Sequence, residues 1–335
     1  MDEAKFYNAL NLFYRGNYSK LAKAIERWGS WQCAWAEEEN KNIDADKEWD
    51  RLLSMGISVA LKDGITYPSF LKEAPLAPHG FYFFGSVDYS HPSIAIVGTR
   101  MATPQGKDLA KTFARKLSSA GFTVISGLAM GIDEAAHKGA LEAGGKTLAV
   151  LGTSLDNIYP KQNQGLADDI LKKGGAIISE YPLNQEYHPQ NFLIRNRIIS
   201  GLAQAVLVIE APEKSGALAT ARFALDQNRE VFVLPGNATS PNYKGSNALI
   251  KAGAALVDSV EDIMNILGVA DNSKVAVIGG NEDPIVAVLK RNGGELSADK
   301  LAENLESDIG SLNKNLAMLV IRGIIKEING KYYLN

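Results

Sequence analysis

The chain has 335 residues, of which 46% are apolar and 22% are charged, and its net charge is −3. This composition excludes an extended disordered chain and a long coiled coil, and the length favours about two or three domains. A single cysteine, Cys33, excludes an intrachain disulfide framework and a cysteine-built zinc site. The small negative charge excludes a surface that is basic throughout, so a polyanion site must be a local concentration of cations.

The N-terminal segment has apolar residues at helical spacing, which predicts a small helical, SAM-like domain over residues 1–60. It lacks the basic start and apolar run of a signal peptide, and the chain has no window of 18 apolar residues. We therefore expect a cytoplasmic protein with no membrane partner. After residue 60, a segment rich in proline, glycine and aromatics is expected to be an ordered connector with one strand, FYFFG.

From Ser93 onward, short apolar runs alternate with amphipathic segments. This alternation predicts an α/β fold with a doubly wound parallel sheet over residues 61–268, connector included, because each parallel crossover requires a helix. Thr103 followed by Pro104 is typical of a helix start. The predicted strands are SIAIVG, FTVISG, KTLAVLG, AIISEY, AVLVIEA, EVFVLPG and AALVDS.

The C-terminal part is predicted to be a linker, residues 269–281, and a unit over 282–335 with three helices and a hairpin turning at Asn329 and Gly330. This order is typical of a winged helix, whose third helix can enter a major groove. The unit has seven basic and eight acidic residues, hence a charge of −1. That charge favours contact with another protein, or a capping role, over sequence-specific DNA binding. A transcription factor is the alternative, and binding of duplex DNA by this unit alone would support it.

Candidate ligand-binding residues follow the strands at their carboxyl ends, where open α/β sheets bind ligands. The first strand is followed by Thr99 and Arg100 before a helix N-terminus, which predicts an anion site, and no G-x-G-x-x-G fingerprint is present there. GGKT at 144–147 precedes a strand and so does not predict a P-loop. For the glycines that follow the first two strands, in VGTR and SGLAMGID, the alternative is that they only allow tight turns. Further candidates in the later turns are Ser126, Gly127, Lys161, Ser215, Gly216, Gly245 and Asn247.

The segment FLIRNRIISG places Phe192, Arg195, Asn196 and Arg197 directly before a buried strand. Residues two apart on a helix are separated by about 200°, so both arginines cannot lie on one face, and we expect the helix to begin near Asn196. One interpretation pairs the arginines with Glu180 or Glu210 and buries the phenylalanine. The other has them clamp phosphates while Phe192 stacks on a base. Anion sites after so many strands favour an extended single strand over one mononucleotide.

The sequence predicts no catalytic residue, no metal and no cofactor. The four histidines have no spacing typical of metal ligands, and His137 is expected to pack within a helix. Glu180 and Glu210 end strands at the predicted binding edge, where we expect them to hold arginines in position.

Taken together, VGTR, SGLAMGID, YPKQN, FLIRNRIISGLAQAVLVIEA, SGALATA and the PG…GSNALIKAGA ending resemble the DprA/Smf family of DNA-processing proteins. The resemblance covers residues 90–260 motif by motif. It implies an extended Rossmann-like domain that binds single-stranded DNA without sequence preference, forms homodimers through that domain, and recruits RecA to incoming DNA in natural transformation. The helical N-terminal unit and winged-helix-like C-terminus also agree with longer family members.

The resemblance assigns roles to individual residues. It places Arg100 and Lys161 in a basic DNA pocket, Phe192 in contact with a base, and Arg195, Asn196 and Arg197 in phosphate contact or in building the pocket. Family members carry H-F-P before the R-N-R signature, whereas this chain has HPQNFL.

The alternative function is an enzyme, a nucleoside-monophosphate phosphoribohydrolase of similar fold. That family carries a catalytic glutamate in a P-G-G-x-G-T-x-x-E stretch. The comparable turn here reads SGALATAR, with Arg222 near the position of that acid, which disfavours the enzyme.

Overall fold

The computed structural model describes residues 2–39, 42–269, 284–305, 309–321, 324–328 and 330–334. Two compact units are present, Met1–Ser273 and Lys274–Asn335. Most of the predicted linker, from residue 270 onward, lies outside the described residues.

A nine-stranded sheet forms the centre of the first unit. Its strands follow the order β1-β2-β6-β5-β4-β3-β7-β8-β9. The run from β6 to β9 is parallel, whereas β2 is antiparallel to β6 and β1 to β2. The strands are β1 Ser58–Leu61, β2 Gly80–Gly85, β3 Ser93–Gly98, β4 Thr123–Ser126, β5 Thr147–Leu151, β6 Ala176–Ser179, β7 Ala205–Ile209, β8 Glu230–Val233 and β9 Ala255–Leu256.

Helices cover both faces of this sheet, as the alternating sequence pattern predicts. Ala95 and Val97 of β3 share a core with α9 and α10, while Ile94 and Ile96 share another with α6, α7 and α12. The helices of the first unit are α1 Asp2–Phe13, α2 Tyr18–Trp28, α3 Trp31–Glu37, α4 Ala45–Ser54, α5 Ser69–Lys72, α6 Pro104–Ser119, α7 Ile132–Glu142, α8 Gln164–Lys172, α9 Pro189–Gly201, α10 Gly216–Asp226, α11 Lys244–Lys251 and α12 Val260–Leu267.

All seven strands predicted from Ser93 onward are present, as is the predicted FYFFG strand, which is β2. The predicted helix cap is also present, since Thr103 accepts a hydrogen bond from Gly106 N at 3.0 Å and Pro104 opens α6. Strand β1 was not predicted. It is a four-residue edge strand that the alternating pattern does not reach.

Helices α1 to α4 share a hydrophobic core with the sheet. Leu10 and Trp31 belong to the same buried cluster as Leu151 and Ile177. The Tyr7 hydroxyl donates to the Gly80 carbonyl at 2.8 Å. These helices therefore lie within the first compact unit, and their assignment to a separate SAM-like domain ending at residue 60 stays a prediction.

The strand order reverses between β3 and β7. From β3 the chain proceeds through β4 and β5 to β6 on one side, and from β7 through β8 to β9 on the other. In open α/β sheets, a crevice opens at the carboxyl ends of the strands where the order reverses. The loops that follow β3 and β7 therefore flank the expected place for a ligand.

Helix α9 begins at Pro189, seven residues before the start expected near Asn196. This corrects the prediction that Arg195 lies in an entry turn, because Phe192, Arg195 and Arg197 are all helical. The two arginines are each only 4% exposed. Protein surrounds the helix on opposite sides, so it lacks the single apolar face that marks a helix in a sequence.

In its described residues, the second unit has three helices and a three-stranded sheet with the order β10-β12-β11. The Ser297 hydroxyl accepts a hydrogen bond from Lys300 N at 3.5 Å, at the start of the second helix of this unit. The winged-helix assignment stays a prediction, and Asn329 of the predicted turn lies outside the described residues. The elements are α13 Pro284–Arg291, β10 Glu295–Ser297, α14 Ala298–Leu305, α15 Ile309–Ile321, β11 Ile325–Ile328 and β12 Lys331–Leu334.

Across the described residues, every helix is too short or too polar to cross a lipid bilayer.

Candidate functional site

A cleft of about 380 Å³ opens at the strand-order reversal, between the loop after β3, helix α9 and the start of α10. A smaller pocket of about 40 Å³ adjoins it beside Tyr159 and Pro160. We call the two together the switch-point cleft. The predicted site residues that line the switch-point cleft are Thr99, Arg100, Gly127, Phe192, Arg195, Asn196, Ser215 and Gly216.

Arg100 lies at the mouth of the cleft with its side chain exposed. Its guanidinium is 5.3 Å from the centroid of the Phe192 ring, within the range of a cation–π contact. Phe192 projects from the first turns of α9 and is half-buried. A fixed cation and an aromatic ring thus meet at one point, which suits a ligand that has both a negative charge and a flat apolar group.

Two tyrosines that are not among the predicted site residues pack around Phe192. The Phe192 ring centroid is 5.3 Å from that of Tyr159 and 5.8 Å from that of Tyr187. The two tyrosine rings are 5.3 Å apart. The YPKQN motif contains Tyr159 and is the signal in the sequence, although the residue predicted from that motif is Lys161.

Arg195 forms the inner wall of the cleft. Its Nη1 donates to the carbonyl oxygens of Gly127, at 2.8 Å, and Val150, and its Nε donates to Asn196 Oδ1 at 3.2 Å. Burial lowers the pKa of Arg195 to about 10, against the opposing effect of Asp133, so the guanidinium keeps its charge at neutral pH. A Cβ on Gly127 would lie 2.6 Å from this guanidinium, which explains why a glycine is present.

Asp133 lies behind Arg195 and organises the turn after β4. Its carboxylate accepts hydrogen bonds from Gly127 N at 3.1 Å and Ala129 N at 3.4 Å. Burial raises the pKa of Asp133, while the charge of Arg195 acts in the opposite direction. This role was not predicted, although a carboxylate six residues after a turn glycine in SGLAMGID is a usable signal.

Arg197 lies on the other side of α9 and forms a buried ion pair. Its Nη2 donates to both carboxylate oxygens of Glu180, at 2.6 and 2.8 Å, and its guanidinium lies 5.6 Å from the Tyr18 ring centroid. The expectation that Glu180 holds an arginine is confirmed. The geometry gives Arg197 the pairing role that one interpretation of the sequence proposed.

Among the described residues, the Glu210 carboxylate pairs with no arginine, which corrects the second part of that expectation. Its carboxylate accepts from Thr103 N at 2.8 Å and from the Thr103 hydroxyl. Its main-chain carbonyl accepts from Thr99 N at 2.8 Å. Glu210 therefore fixes both ends of the loop that carries Arg100, because β7 lies directly beside β3.

The remaining predicted site residues have structural contacts or lie outside the cleft. Ser126 donates to the Ile96 carbonyl at 2.6 Å, and Asn247 bonds the main chain of Gly236. Gly245 N donates to the Ala211 carbonyl at 2.8 Å. Lys161 is exposed at the start of a 3₁₀ turn after the cis Tyr159–Pro160 peptide.

No cluster of three or more histidine, cysteine or acidic side chains that could hold a metal ion is found within the described part of the chain. His137 is fully buried and its Nδ1 lies 2.7 Å from the Thr147 hydroxyl. Burial lowers its pKa to about 3, so the imidazole is neutral at physiological pH. This agrees with the packing role that the sequence predicts for it.

Fold and site together define a Rossmann-like α/β protein with a cationic, aromatic-lined cleft at its switch point. A family model described as DNA recombination-mediator protein A matches residues 58–268. The chain belongs to this family, which is the DprA/Smf family that the sequence motifs resemble.

Curated relatives match over the same region. Protein Smf from a Synechocystis species is 44% identical over 211 residues, which is 62% of this chain and 53% of that protein. Protein Smf from Escherichia coli K12 is 40% identical over 235 residues, which is 70% of this chain and 58% of that protein. The matched region thus spans little more than half the length of these two relatives.

Two solved structures share the fold. DNA processing protein A from Streptococcus pneumoniae superposes with a TM-score of 0.66 at 31% identity, covering 78% of this chain and 97% of that one. The Helicobacter pylori protein, described for its single-stranded DNA binding mode, gives a TM-score of 0.57 at 31% identity, covering 63% and 95%.

Proposed function

We propose that this protein binds single-stranded DNA without sequence preference, protects incoming DNA and assists RecA loading in natural transformation or recombination. The observation that carries the proposal is the placement of the Arg100 guanidinium over the Phe192 ring at the mouth of the switch-point cleft. Phosphate and base, the two parts of any nucleotide, each find a partner there. The single-stranded DNA binding described for the Helicobacter pylori relative supports the same ligand.

Phosphates are bound by the cationic side of the cleft. Arg100 and Lys214 are exposed at its edge, and Ser215 and Gly216 place the positive end of the α10 helix dipole beside them. Arg195 adds a buried positive charge to the inner wall. These groups recognise charge and not sequence, which accounts for binding without sequence preference.

Bases are bound by the apolar side. Next to Phe192, the cleft is bordered by Met101, Met130 and Leu193, which are 85%, 46% and 50% exposed. An apolar rim of this kind suits the flat faces of unpaired bases. In a duplex those faces are covered by stacking and pairing, so we expect single strands to be preferred.

The proposed DNA-binding residues fall into two groups. Some contact the strand directly: Thr99, Arg100, Lys161, Phe192, Ser215 and Gly216. The others build and hold the cleft or its neighbouring loops: Ser126, Gly127, Arg195, Asn196, Arg197, Gly245 and Asn247.

The proposed partners are RecA and a second copy of the chain, with dimerisation through the Rossmann-like domain. The proposed activity needs no catalytic residue, metal or cofactor. Incubation with AMP is expected to release no free adenine. Hydrolysis of AMP to adenine would support the phosphoribohydrolase alternative instead.

The direct test is Arg100→Ala. It removes a phosphate contact and the cation over Phe192, so affinity for an oligo-dT is expected to fall about tenfold and the salt dependence to flatten by about 0.7 in log–log slope. Gel shifts at two salt concentrations measure both quantities.

The matched control is Arg115→Ala, which removes an exposed arginine from the second half of α6, outside the cleft. Its affinity and salt slope should equal those of the unmodified protein. Equal losses of affinity in the two variants would show that only net charge matters. An unchanged affinity in Arg100→Ala would show that Arg100 does not contact the DNA.

A further inference from the structure

The Phe192 ring is partly covered in the described structure. Arg100 lies over it, with 5.3 Å between the guanidinium and the ring centroid. The main chain of Gly152 lies against it, since a Cβ built there would be 2.7 Å from Phe192 Cδ1. Tyr159 packs against another side of the Phe192 ring, with 5.3 Å between the two ring centroids. The ring surface available to a base is therefore limited at Phe192 itself.

Tyr187 extends this aromatic surface toward solvent. Its ring packs edge-on to Phe192, with centroids 5.8 Å apart and planes at 73°, and it also contacts Tyr159. Its side chain is 40% exposed, whereas Phe192 is half-buried. The two neighbouring rings hold Tyr187 in place, so little rotamer entropy remains to be lost when a flat ligand stacks on it.

We propose that Tyr187 is a second base-stacking residue, so that Phe192 and Tyr187 receive two neighbouring bases of one DNA strand. The inference rests on the proposed binding of single-stranded DNA and names a contact beyond it. Tyr187 directly precedes His188, the N-cap of α9 and the first residue of HPQNFL. One short stretch of chain therefore supplies both rings. Stacking on an aromatic ring is independent of base identity, because every base has a π-face.

The test compares two ligands of equal length and charge, an oligo-dT of about twelve nucleotides and an abasic tetrahydrofuran oligomer. Tyr187→Ala is expected to weaken binding to oligo-dT about tenfold and to leave binding to the abasic oligomer unchanged. Tyr187→Phe keeps the ring and should keep the affinity. Trp28→Ala, which removes another exposed aromatic ring from α2, is the control and should change neither ligand.

Two results overturn the inference. An unchanged oligo-dT affinity in Tyr187→Ala shows that the ring makes no contact with a base. Equal losses for oligo-dT and the abasic oligomer show that the residue acts only on the shape of the loop or on phosphates. In both cases the unmodified protein still binds oligo-dT and the proposed function stands. Failure of the unmodified protein to bind oligo-dT contradicts the function and the inference together.

Discussion

Two arginines in one short segment serve opposite sides of the same helix. Arg195 points to the ends of β4 and β5, where it bonds main-chain carbonyls, and Arg197 pairs with Glu180 at the end of β6. The helical angle of about 200° between them predicts that they do not share a face. The partner of each arginine depends on which strand ends lie beside α9. The sheet sets the positions of those strand ends, so the segment alone does not predict the partners.

His137 gives a testable pH dependence. Its pKa is near 3 in the folded protein and 6.5 in the unfolded chain, so between these values the unfolded state binds the extra proton and stability falls as pH falls. Going from pH 7 to pH 5, this one group should cost about 2 kcal/mol. The free energy of unfolding in urea at the two pH values measures the loss.

The comparison protein is His137→Asn, which cannot titrate in this range. Other groups, including His79 with a pKa lowered by burial to about 4, act alike in both proteins. The variant should therefore lose about 2 kcal/mol less than the unmodified protein between pH 7 and pH 5. Equal losses would mean that His137 is accessible to protons in the folded state.

At the scale of elements, two glycines at the switch-point cleft have different reasons to be glycine. A Cβ on Gly98, at the end of β3, would lie 2.0 Å from the Ile209 carbonyl oxygen of β7. At Gly216, the first residue of α10, a Cβ would meet nothing within 4 Å. The first glycine thus permits the two strands to pair at the strand-order reversal, and the second leaves open space at the cleft.

Gly98→Ala is therefore expected to destabilise the protein by about 2 kcal/mol or more, because the obstruction is main chain and cannot rotate away. Gly216→Ala should be neutral or stabilise by about 0.4–1 kcal/mol, because it restricts the unfolded chain. Urea denaturation of both variants checks the pair. If Gly98→Ala were as stable as Gly216→Ala, the close approach of β3 and β7 would be refuted.

The sequence predicted the elements of the sheet better than the elements around it. Buried parallel strands are continuous runs of valine, isoleucine and leucine, and such runs mark β3 to β8 plainly. The predicted start of α9 is too late because it assumes that the two arginines of one helix must share a face, whereas this helix buries polar side chains on two sides. Strand β1 is short and at the edge, so its four residues carry no period of their own.

At the scale of the whole molecule, the sequence indicates that strands and helices alternate but not the order of strands in the sheet. The order places the loops after β3 and β7 side by side and so creates the cleft. Ser126 ends β4 and Asn247 lies in α11, which comes after β8, yet both side chains are occupied by main-chain contacts. Position at a strand end therefore does not by itself make a site residue, because the partner of each polar group decides its role.

We propose that the switch-point cleft binds unpaired nucleotides through phosphates and base faces together. It is tested most directly by the affinity of the full chain for oligo-dT, for a random single strand and for a duplex of the same length, at one salt concentration. We expect equal affinity for the two single strands and weaker binding to the duplex, with the single-strand binding reduced in Arg100→Ala and Phe192→Ala. Equal or tighter binding to the duplex, unaffected by these two substitutions, would contradict it.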